Sequence, residues 1–317
     1  MRFLGILSKV LVAAALVPGA VDAQYPARPI RVVVPFSAGG ITDTVARITA
    51  QGLEKALGQS VVVENKPGAE GSIAANTVKG AAPDGYTLFF ATNSVLSTPL
   101  VSKAADFDPL NDFAPISTVG RFPFAMFIHP DVPATTVKQF IAYARANPGK
   151  VNYGTVNPAE QLAGAQFLKA SGVDMVRIPH KGGIMSEIVA GRIQVYFGPV
   201  GSGLAYVKDG RLRMVATLLP ERTPLTPEVP TMAEAGVMGV SVQSYQMFLA
   251  PAKTPREIVE RLSREINAVL RDPEVRAQLE KVSLMVEGMT PQQLARSLED
   301  SNRTWAQFFR EAGLEKQ

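Results

Sequence analysis

The sequence predicts an α/β protein built from two doubly wound sheets. Strand-like and helix-like segments alternate over most of the 317 residues, which favours sheets covered by helices on both faces. The alternation restarts past the middle of the chain, and the C-terminal part is helical with little strand. Because that part is too short for a separate domain, we expect it to pack back on the first unit. The chain would then cross between the units twice, near residues 121–126 and 243–248, as in a hinged clamshell.

The first unit reads as three strands separated by two helices. The segment IRVVVPF is a continuous apolar run of the kind that is buried on both faces of a sheet. Apolar residues recur at helical spacing from Thr42 to Leu57, and Gly58 then suits a helix end. SVVVEN and YTLFFAT supply the next two strands, with a weaker helix pattern from Ser72 to Lys79 between them.

The second unit continues the same alternation. Its strand-like segments are FPFAMFIHP, VNYGT, MVRIPH, RIQVYFGP and LRMVATLL, and its helix-like segments are TVKQFIAYARANPG, QLAGAQFLKASG and SEIVAG. The helical C-terminal part starts at PREIVERL. The sequence therefore predicts two α/β units of similar size.

Composition and missing motifs exclude several classes of function. With 46% hydrophobic and 19% charged residues, the chain suits folded domains with ample cores. The net charge of +4 is small and the basic residues are scattered, so we expect no nucleic-acid partner. The absence of cysteine excludes thiolate metal sites and cysteine nucleophiles, and the two histidines lack metal-ligand spacing. G-x-S-x-G, H-E-x-x-H and P-loop motifs are also absent, so we expect no catalytic residue, metal or cofactor.

Residues 1–23 have the pattern of a secretory signal peptide. Arg2 and Lys9 precede the apolar run VLVAAALV, and AVDA ends at Ala23 with the small residues that signal peptidase reads. A membrane anchor is the alternative, but the run is well short of the ~20 apolar residues that span a bilayer. The mature protein would start near Gln24 and lie outside the cytoplasm.

The loop PFSAGG, between the first strand and the first helix, is a candidate anion site. Ala38, Gly39 and Gly40 leave backbone N–H groups uncovered where a helix begins, and the helix dipole also favours negative charge there. The side chains that could contribute in this segment are Phe36, Ser37, Thr42 and Asp43. The alternative is that one of the last two only caps the helix.

Other candidate positions follow later strands. In ATNS, Thr92 and Ser94 offer hydroxyl groups at the carboxyl end of a strand, where open α/β sheets bind ligands, although an ordinary turn would look the same. His180 and Lys181 follow another strand, whereas His129 reads as a hinge or surface histidine. Lys66 is expected to form a plain salt bridge with Glu64 or Glu70.

Seven segments resemble, in this order, the solute receptors of tripartite tricarboxylate transporters, also called Bug proteins. They are YPARPIRVVVPFSAGGITDTVAR, LGQSVVVENKPGAEGSIAA, APDGYTLFFAT, DFAPIS, IPHKGG, EVPTMAEAG and FLAPAKTPREIVERL. The resemblance covers nearly the whole mature chain, and the order of the segments makes it far more specific than any one of them.

The resemblance implies a monomeric periplasmic receptor that is not an enzyme. Its fold would be a type II-like Venus flytrap, with residues 24–123 plus 246–317 in lobe 1 and residues 124–245 in lobe 2. It would close on a small organic carboxylate and deliver it to a large and a small membrane subunit. Carried over by position, the ligand-binding residues are Phe36, Ser37, Ala38, Gly39, Gly40, Asp43, Thr92 and Ser94 from lobe 1, and Tyr153, Gly154, Thr155, His180, Lys181, Phe197 and Gly198 from lobe 2.

One segment departs from the family pattern. YGTVNPAEQL, residues 153–162, is two residues shorter than usual, lacks the later glycines and has Gln161 where the family has histidine. Pro158 removes a backbone donor, and Glu160 would repel an anion if it pointed inward. His180, where the family more often has tyrosine, could compensate. We therefore expect a ligand with one carboxylate and a distal end that is aromatic, hydroxylated or weakly anionic.

Two other functions remain open at the level of sequence. A receptor of this kind could report to a sensor kinase instead of a transporter. A secreted α/β hydrolase is the second alternative, but it would need a nucleophile and a base that the two histidines barely supply.

We predict cleavage of the exported protein after Ala23, because AVDA carries small residues at the positions that signal peptidase reads. N-terminal sequencing of the protein from the periplasmic fraction should begin at Gln24 or within one or two residues of it. An intact Met1 on the mature protein would contradict export through this peptide.

Overall fold

The structure is a computed structural model that describes residues 25–180 and 183–311. The predicted signal peptide and Lys181 lie outside these residues. The strands are Ile30–Val34 (β1), Val61–Asn65 (β2), Thr87–Thr92 (β3), Phe113–Ile128 (β4), Asn152–Thr155 (β5), Val176–Pro179 (β6), Val195–Pro199 (β7), Arg213–Thr217 (β8), Gln243–Pro251 (β9) and Met285–Val286 (β10).

The helices cover both sheets. They are Ile41–Leu57 (α1), Ser72–Lys79 (α2), Ser94–Val101 (α3), Val137–Ala146 (α4), Pro158–Ser171 (α5), Ile184–Val189 (α6), Val200–Lys208 (α7), Arg256–Val269 (α8), Pro273–Lys281 (α9) and Pro291–Glu311 (α10), with a 3-10 turn at Ala69–Gly71. Within the described residues, none of these helices combines the length and apolar character needed to span a bilayer.

The long strand β4 belongs to both sheets. From Phe113 to Pro123 it pairs with β9, which continues the first sheet in the order β2-β1-β3-β9-β4. From Phe124 to Ile128 it pairs instead with β7, and β8 also pairs with this half of the strand. The chain returns to the first sheet where β9 begins at Gln243. Both crossings lie where the sequence predicts them, and the two-lobed α/β fold is confirmed.

Strand alternation shows that the first sheet is covered on both faces. Val32 and Val34 pack with α1 and α8, in a cluster that includes Leu53 and Leu262. Val33, between them, points to the other face and packs in the cluster that contains α2 and α3. Since successive strand residues face opposite sides, three adjacent buried valines require two apolar layers. The sheet is therefore doubly wound, as the run of valines predicts.

The first two helices follow the sequence closely. Helix α1 ends at Leu57, and Gly58 has a left-handed φ of 65° with its N–H bonded to the carbonyl of Glu54. Helix α2 has the bounds Ser72 and Lys79 that the sequence predicts. The sequence pattern did not indicate helices α3 and α7, strands β9 and β10, or the first half of β4.

The sequence predicts that the C-terminal part packs on the first unit, but helix α10 contacts both units. Its first part packs on β4, α8 and α3, with Leu294 and Leu298 buried. Its end reaches the second unit, where Glu311 pairs with Lys169 of α5 at 3.0 Å. Trp305 and the buried phenylalanines beside it belong to an apolar cluster that runs through both units. Helix α10 thus bridges the two lobes.

Candidate functional site

A cavity of about 530 Å³ lies between the two sheets. Lobe 1 contributes residues 35–37, 67–71, 92–94 and the first turns of α1 and α3. The other side is formed by residues 157–159 at the start of α5, together with Pro199. Strand β9 and Trp305 of α10 complete the wall, and the volume suits a small organic molecule.

Five helices begin at this cavity. Its lining includes residues in or next to the N-terminal ends of α1, α2, α3, α5 and α7. At α1, α2, α3 and α7, the residue at the N-cap position accepts no hydrogen bond from the helix with its side chain. The first N–H groups of a helix lack intrahelical acceptors, and the helix dipole places partial positive charge there. The cavity therefore has a built-in preference for negative charge without needing a cationic side chain.

Asp43 fixes the shape of the loop before α1. Its Oδ2 accepts hydrogen bonds from the N–H of Gly39 and from Nε of Arg47, both at 2.9 Å. Its Oδ1 accepts from Nδ2 of Asn65 at 2.9 Å, and the same amide donates to the carbonyl of Phe36 at 3.0 Å. Burial alone would raise the pKa of Asp43, but the bonds from Arg47, Gly39 and Asn65 outweigh it and lower that pKa. Asp43 is thus a positioning residue, and its carboxylate is already occupied.

The second loop presents hydroxyl and amide groups at the end of β3. Oγ1 of Thr92 and Oγ of Ser94 are 2.8 Å apart, and the N–H of Ser94 donates to Oγ1 of Thr92 at 3.2 Å. Asn93 is anchored because its Oδ1 accepts from the N–H of Tyr245 at 2.7 Å. Gln246 lines the cavity beside Thr92, and its buried Oε1 has no hydrogen-bond partner among the described residues. An unpaired buried amide is costly, so Gln246 is a further group that a ligand or water could satisfy.

The opposite wall is the start of α5. It belongs to residues 153–162, the segment that departs from the family pattern. Oδ1 of Asn157 accepts from the N–H of Glu160 at 3.1 Å and caps the helix. Glu160 is buried and accepts from the N–H of Val156, from Nδ2 of Asn157 and from the hydroxyl of Tyr196. Burial raises the pKa of Glu160 despite these three donors. Glu160 therefore braces the loop from inside the lobe, and Pro158 and Ala159 face the cavity instead.

Four of the ligand-binding residues that the family resemblance implies line the cavity: Phe36, Ser37, Thr92 and Ser94. The cavity wall does not include the neighbouring residues Ala38, Gly39, Gly40 and Asp43. It does include Thr42. The Lys66 ammonium pairs with Glu64 at 3.0 Å, as the simple salt-bridge interpretation predicts.

The predicted residues of lobe 2 lie behind the cavity wall. Tyr153, Gly154, Thr155, Phe197 and Gly198 are buried and do not line the cavity. A Cβ at Gly154 would overlap Ile184, and one at Gly198 would overlap the Tyr196 ring, so packing accounts for both glycines. The N–H of His180 donates to the carbonyl of Thr155 at 2.8 Å. His180 is also not among the residues that line the cavity. Contact between these residues and a ligand stays a prediction.

Sequence reasoning missed several lining residues. Phe122, Phe124 and Trp305 form apolar wall, while Glu70 and Gln246 are polar. The single tryptophan was the available signal for Trp305, since it lies in an amphipathic C-terminal helix. In the described part of the chain, no group of three or more His, Asp or Glu side chains is placed to hold a metal ion.

Comparison with known proteins decides the family. Residues 45–314 match the family described as "Tripartite tricarboxylate transporter family receptor". This chain belongs to that receptor family. Protein BugT of Bordetella pertussis is 31% identical over 319 residues, which is 98% of each chain. The family is one of periplasmic solute-binding receptors and not of enzymes.

Two solved structures resemble this receptor over most of its length. Rpa4515 of R. palustris with adipate has a TM-score of 0.80 and 30% identity, covering 93% of this chain and 100% of that one. MatC of Rhodopseudomonas palustris with bound malate has a TM-score of 0.71 and 27% identity, covering 89% of this chain and 98% of that one. The ligands in both of these related structures are small carboxylates.

We predict that Asp43→Asn lowers the free energy of unfolding of this receptor by about 1–3 kcal/mol, because an amide leaves at least one buried donor unpaired. Since the pKa of Asp43 is lowered in the folded state, its stabilisation is present above the unfolded pKa and is lost as pH falls through the folded pKa. The difference between variant and wild type should therefore shrink in acid. Urea denaturation across the pH range measures it.

The matched control is Asp106→Asn, because the Asp106 side chain is 96% exposed and 4.0 Å from Lys79. This control should change stability by less than about 1 kcal/mol. Equal effects of the two substitutions at neutral pH would contradict the positioning role of Asp43.

Proposed function

We propose that this receptor captures a small organic carboxylate in the cavity between its lobes and delivers it to a tripartite tricarboxylate-type membrane transporter. The observation that carries the proposal is the convergence of five helix starts on one cavity. Such termini bind anions through backbone N–H groups and the helix dipole. The carboxylates in the related structures with adipate and malate support the same ligand class.

Hydroxyl groups in the cavity complement the backbone donors. Ser37 and Thr42 lie on one side of the first loop, and Thr92 and Ser94 lie at the second. A carboxylate placed between the two loops would accept from neutral donors only, which permits release without breaking an ion pair. We infer that one carboxylate binds here, on the lobe 1 side.

The rest of the cavity favours a ligand with a substantial apolar part. Phe36, Phe122, Phe124 and Trp305 contribute aromatic surface. On the lobe 2 side, Pro158 has no backbone N–H and the N–H of Glu160 is already bonded to Asn157. Aromatic side chains supply large apolar contact area with little loss of conformational freedom. The aromatic lining thus supports the aromatic alternative among the distal ends that the sequence predicts, whereas Glu70, which also lines the cavity, disfavours the weakly anionic one.

Closure would bring the two walls together. The lobes are proposed to be residues 24–123 plus 246–317 and residues 124–245, joined by β4 and by the return of the chain at the start of β9. A hinge of two strand crossings permits rotation without disturbing either core. We propose export to the periplasm by cleavage of residues 1–23, and recognition of the closed form by the large and small membrane subunits.

We expect a thermal-shift panel of mono-, di- and tricarboxylates to identify at least one stabilising acid. When the free ligand concentration is a hundred times Kd, binding raises the free energy of unfolding of the protein by about 2.7 kcal/mol, which raises Tm by several degrees. The double variant Thr92→Val/Ser94→Ala should bind that acid with an affinity lower by about tenfold or more, because hydrogen bonds to charged groups contribute roughly 1.5–3 kcal/mol.

Thr77→Val is the matched control, since its hydroxyl donates to the carbonyl of Ile73 within α2 at 2.7 Å, outside the cavity lining. It should leave affinity unchanged. If no acid in the panel shifts Tm, or if the double variant binds like wild type, the proposed carboxylate site is wrong.

A further inference from the structure

The cavity has one formally charged side chain among its described lining residues, and that side chain is an acid, Glu70. The other polar side chains of the lining are those of Ser, Thr, Asn and Gln residues and the indole of Trp305. Glu70 lies on the short segment Pro67–Gly71, which lines the cavity throughout. Glu70 is exposed, so solvent screens part of its charge, but an acid is still unexpected at a site that favours anions because like charges repel.

The backbone holds Glu70 in an uncommon conformation. Its φ is 53° and its ψ is 29°, in the left-handed region, and Ala69 before it has a φ of 45°. The hydroxyl of Thr98 donates to the carbonyl of Glu70 at 2.7 Å, and the N–H of Gly71 donates to the carbonyl of Gly68 at 2.9 Å. Left-handed non-glycine residues cost of order 1–3 kcal/mol and occur preferentially at ligand sites. These two bonds fix the backbone position of the acid at the cavity.

The Glu70 carboxylate makes no ion pair or hydrogen bond with other residues of 25–180 and 183–311. Lys66, four residues earlier, pairs with Glu64 at 3.0 Å instead. The acid therefore does not serve an internal salt bridge in this part of the chain. Its charge is available to a molecule in the cavity.

We propose that Glu70 determines ligand specificity by binding an ammonium group at the distal end of the ligand. The inference rests on the proposed carboxylate site, which would hold the other end at the helix starts. The ligand class is then a zwitterionic acid, with its carboxylate on the loops after β1 and β3 and its ammonium at Glu70. Phe36 and Trp305 line the same cavity and can supply aromatic surface for a cation. A second carboxylate near Glu70 is disfavoured.

Matched straight-chain acids test this proposal by isothermal titration at low ionic strength. The probes are 6-aminohexanoate, hexanoate and adipate, with 4-aminobutanoate, butanoate and succinate as the shorter set. In at least one set, wild type should bind the amino acid about three- to tenfold more tightly than the monoacid, and the diacid more weakly than both. Glu70→Gln should remove the advantage of the amino acid and strengthen the diacid by a similar factor. The preference should also weaken with added salt.

Glu64→Gln is the control, because it removes the same charge from the same lobe but does not line the cavity. It should leave the order of affinities unchanged. The proposed role of Glu70 is wrong if wild type binds monoacids and diacids without favouring the amino acids, or if Glu70→Gln preserves the wild-type order of affinities. Either result would leave the proposed carboxylate site unaffected. If none of the acids binds to either protein, the proposed function fails and this inference fails with it.

Discussion

The strand β4 is shared by both lobes, and the arrangement of the site depends on it. Over Phe113–Pro123 it is a member of the first sheet, and over Phe124–Ile128 it is a member of the second. Backbone hydrogen bonds on both parts fix where each sheet ends, and the buried side chains of Phe124, Met126 and Ile128 tie the strand to the apolar cluster that runs through both lobes. Because each sheet is anchored to one continuous strand, the helix starts at the edges of the two sheets face a common space.

That geometry provides an anion site from backbone groups. The helices that follow β1, β3 and β5, which are α1, α3 and α5, all begin at the cavity. Helix termini supply partial positive charge without the desolvation cost of a buried lysine or arginine. Asp43 and Glu160 act behind the loops: each accepts three hydrogen bonds from neighbouring groups and holds a loop in place. The groups around the carboxylate of the ligand can then stay neutral.

The local elements of this fold could be predicted from the sequence because their signals are local. The valine run of β1, the apolar spacing of α1 and the glycine after it depend on residues close in the chain. Helix α3 was missed because its eight residues include Pro99 and have little amphipathic contrast. Strand β4 was recognised only from Phe122 onward, since its first half contains Pro115 and Gly120, which weaken a strand pattern.

The site could be predicted only in part for the same reason. The loops PFSAGG and ATNS each signal a helix start, and the structure brings both to the cavity. Glu70, Gln246 and Trp305 come from three distant segments and share no spacing, so only the fold reveals them as neighbours. In lobe 2 the family resemblance implied a ligand role for Gly154 and Gly198. Packing against Ile184 and Tyr196 accounts for these glycines, and contact with a ligand stays a prediction.

The central claim is that the helix starts of lobe 1 hold a carboxylate while the start of α5 in lobe 2 closes over the same ligand. Hydrogen–deuterium exchange measures this most directly, with the tightest-binding acid of the carboxylate panel at saturation and without it. We expect slower exchange at the first turns of α1 and α3 in lobe 1 and of α5 in lobe 2, because the ligand and closure both shield those amides. Protection confined to one lobe, or located away from these three helix starts, would contradict the account.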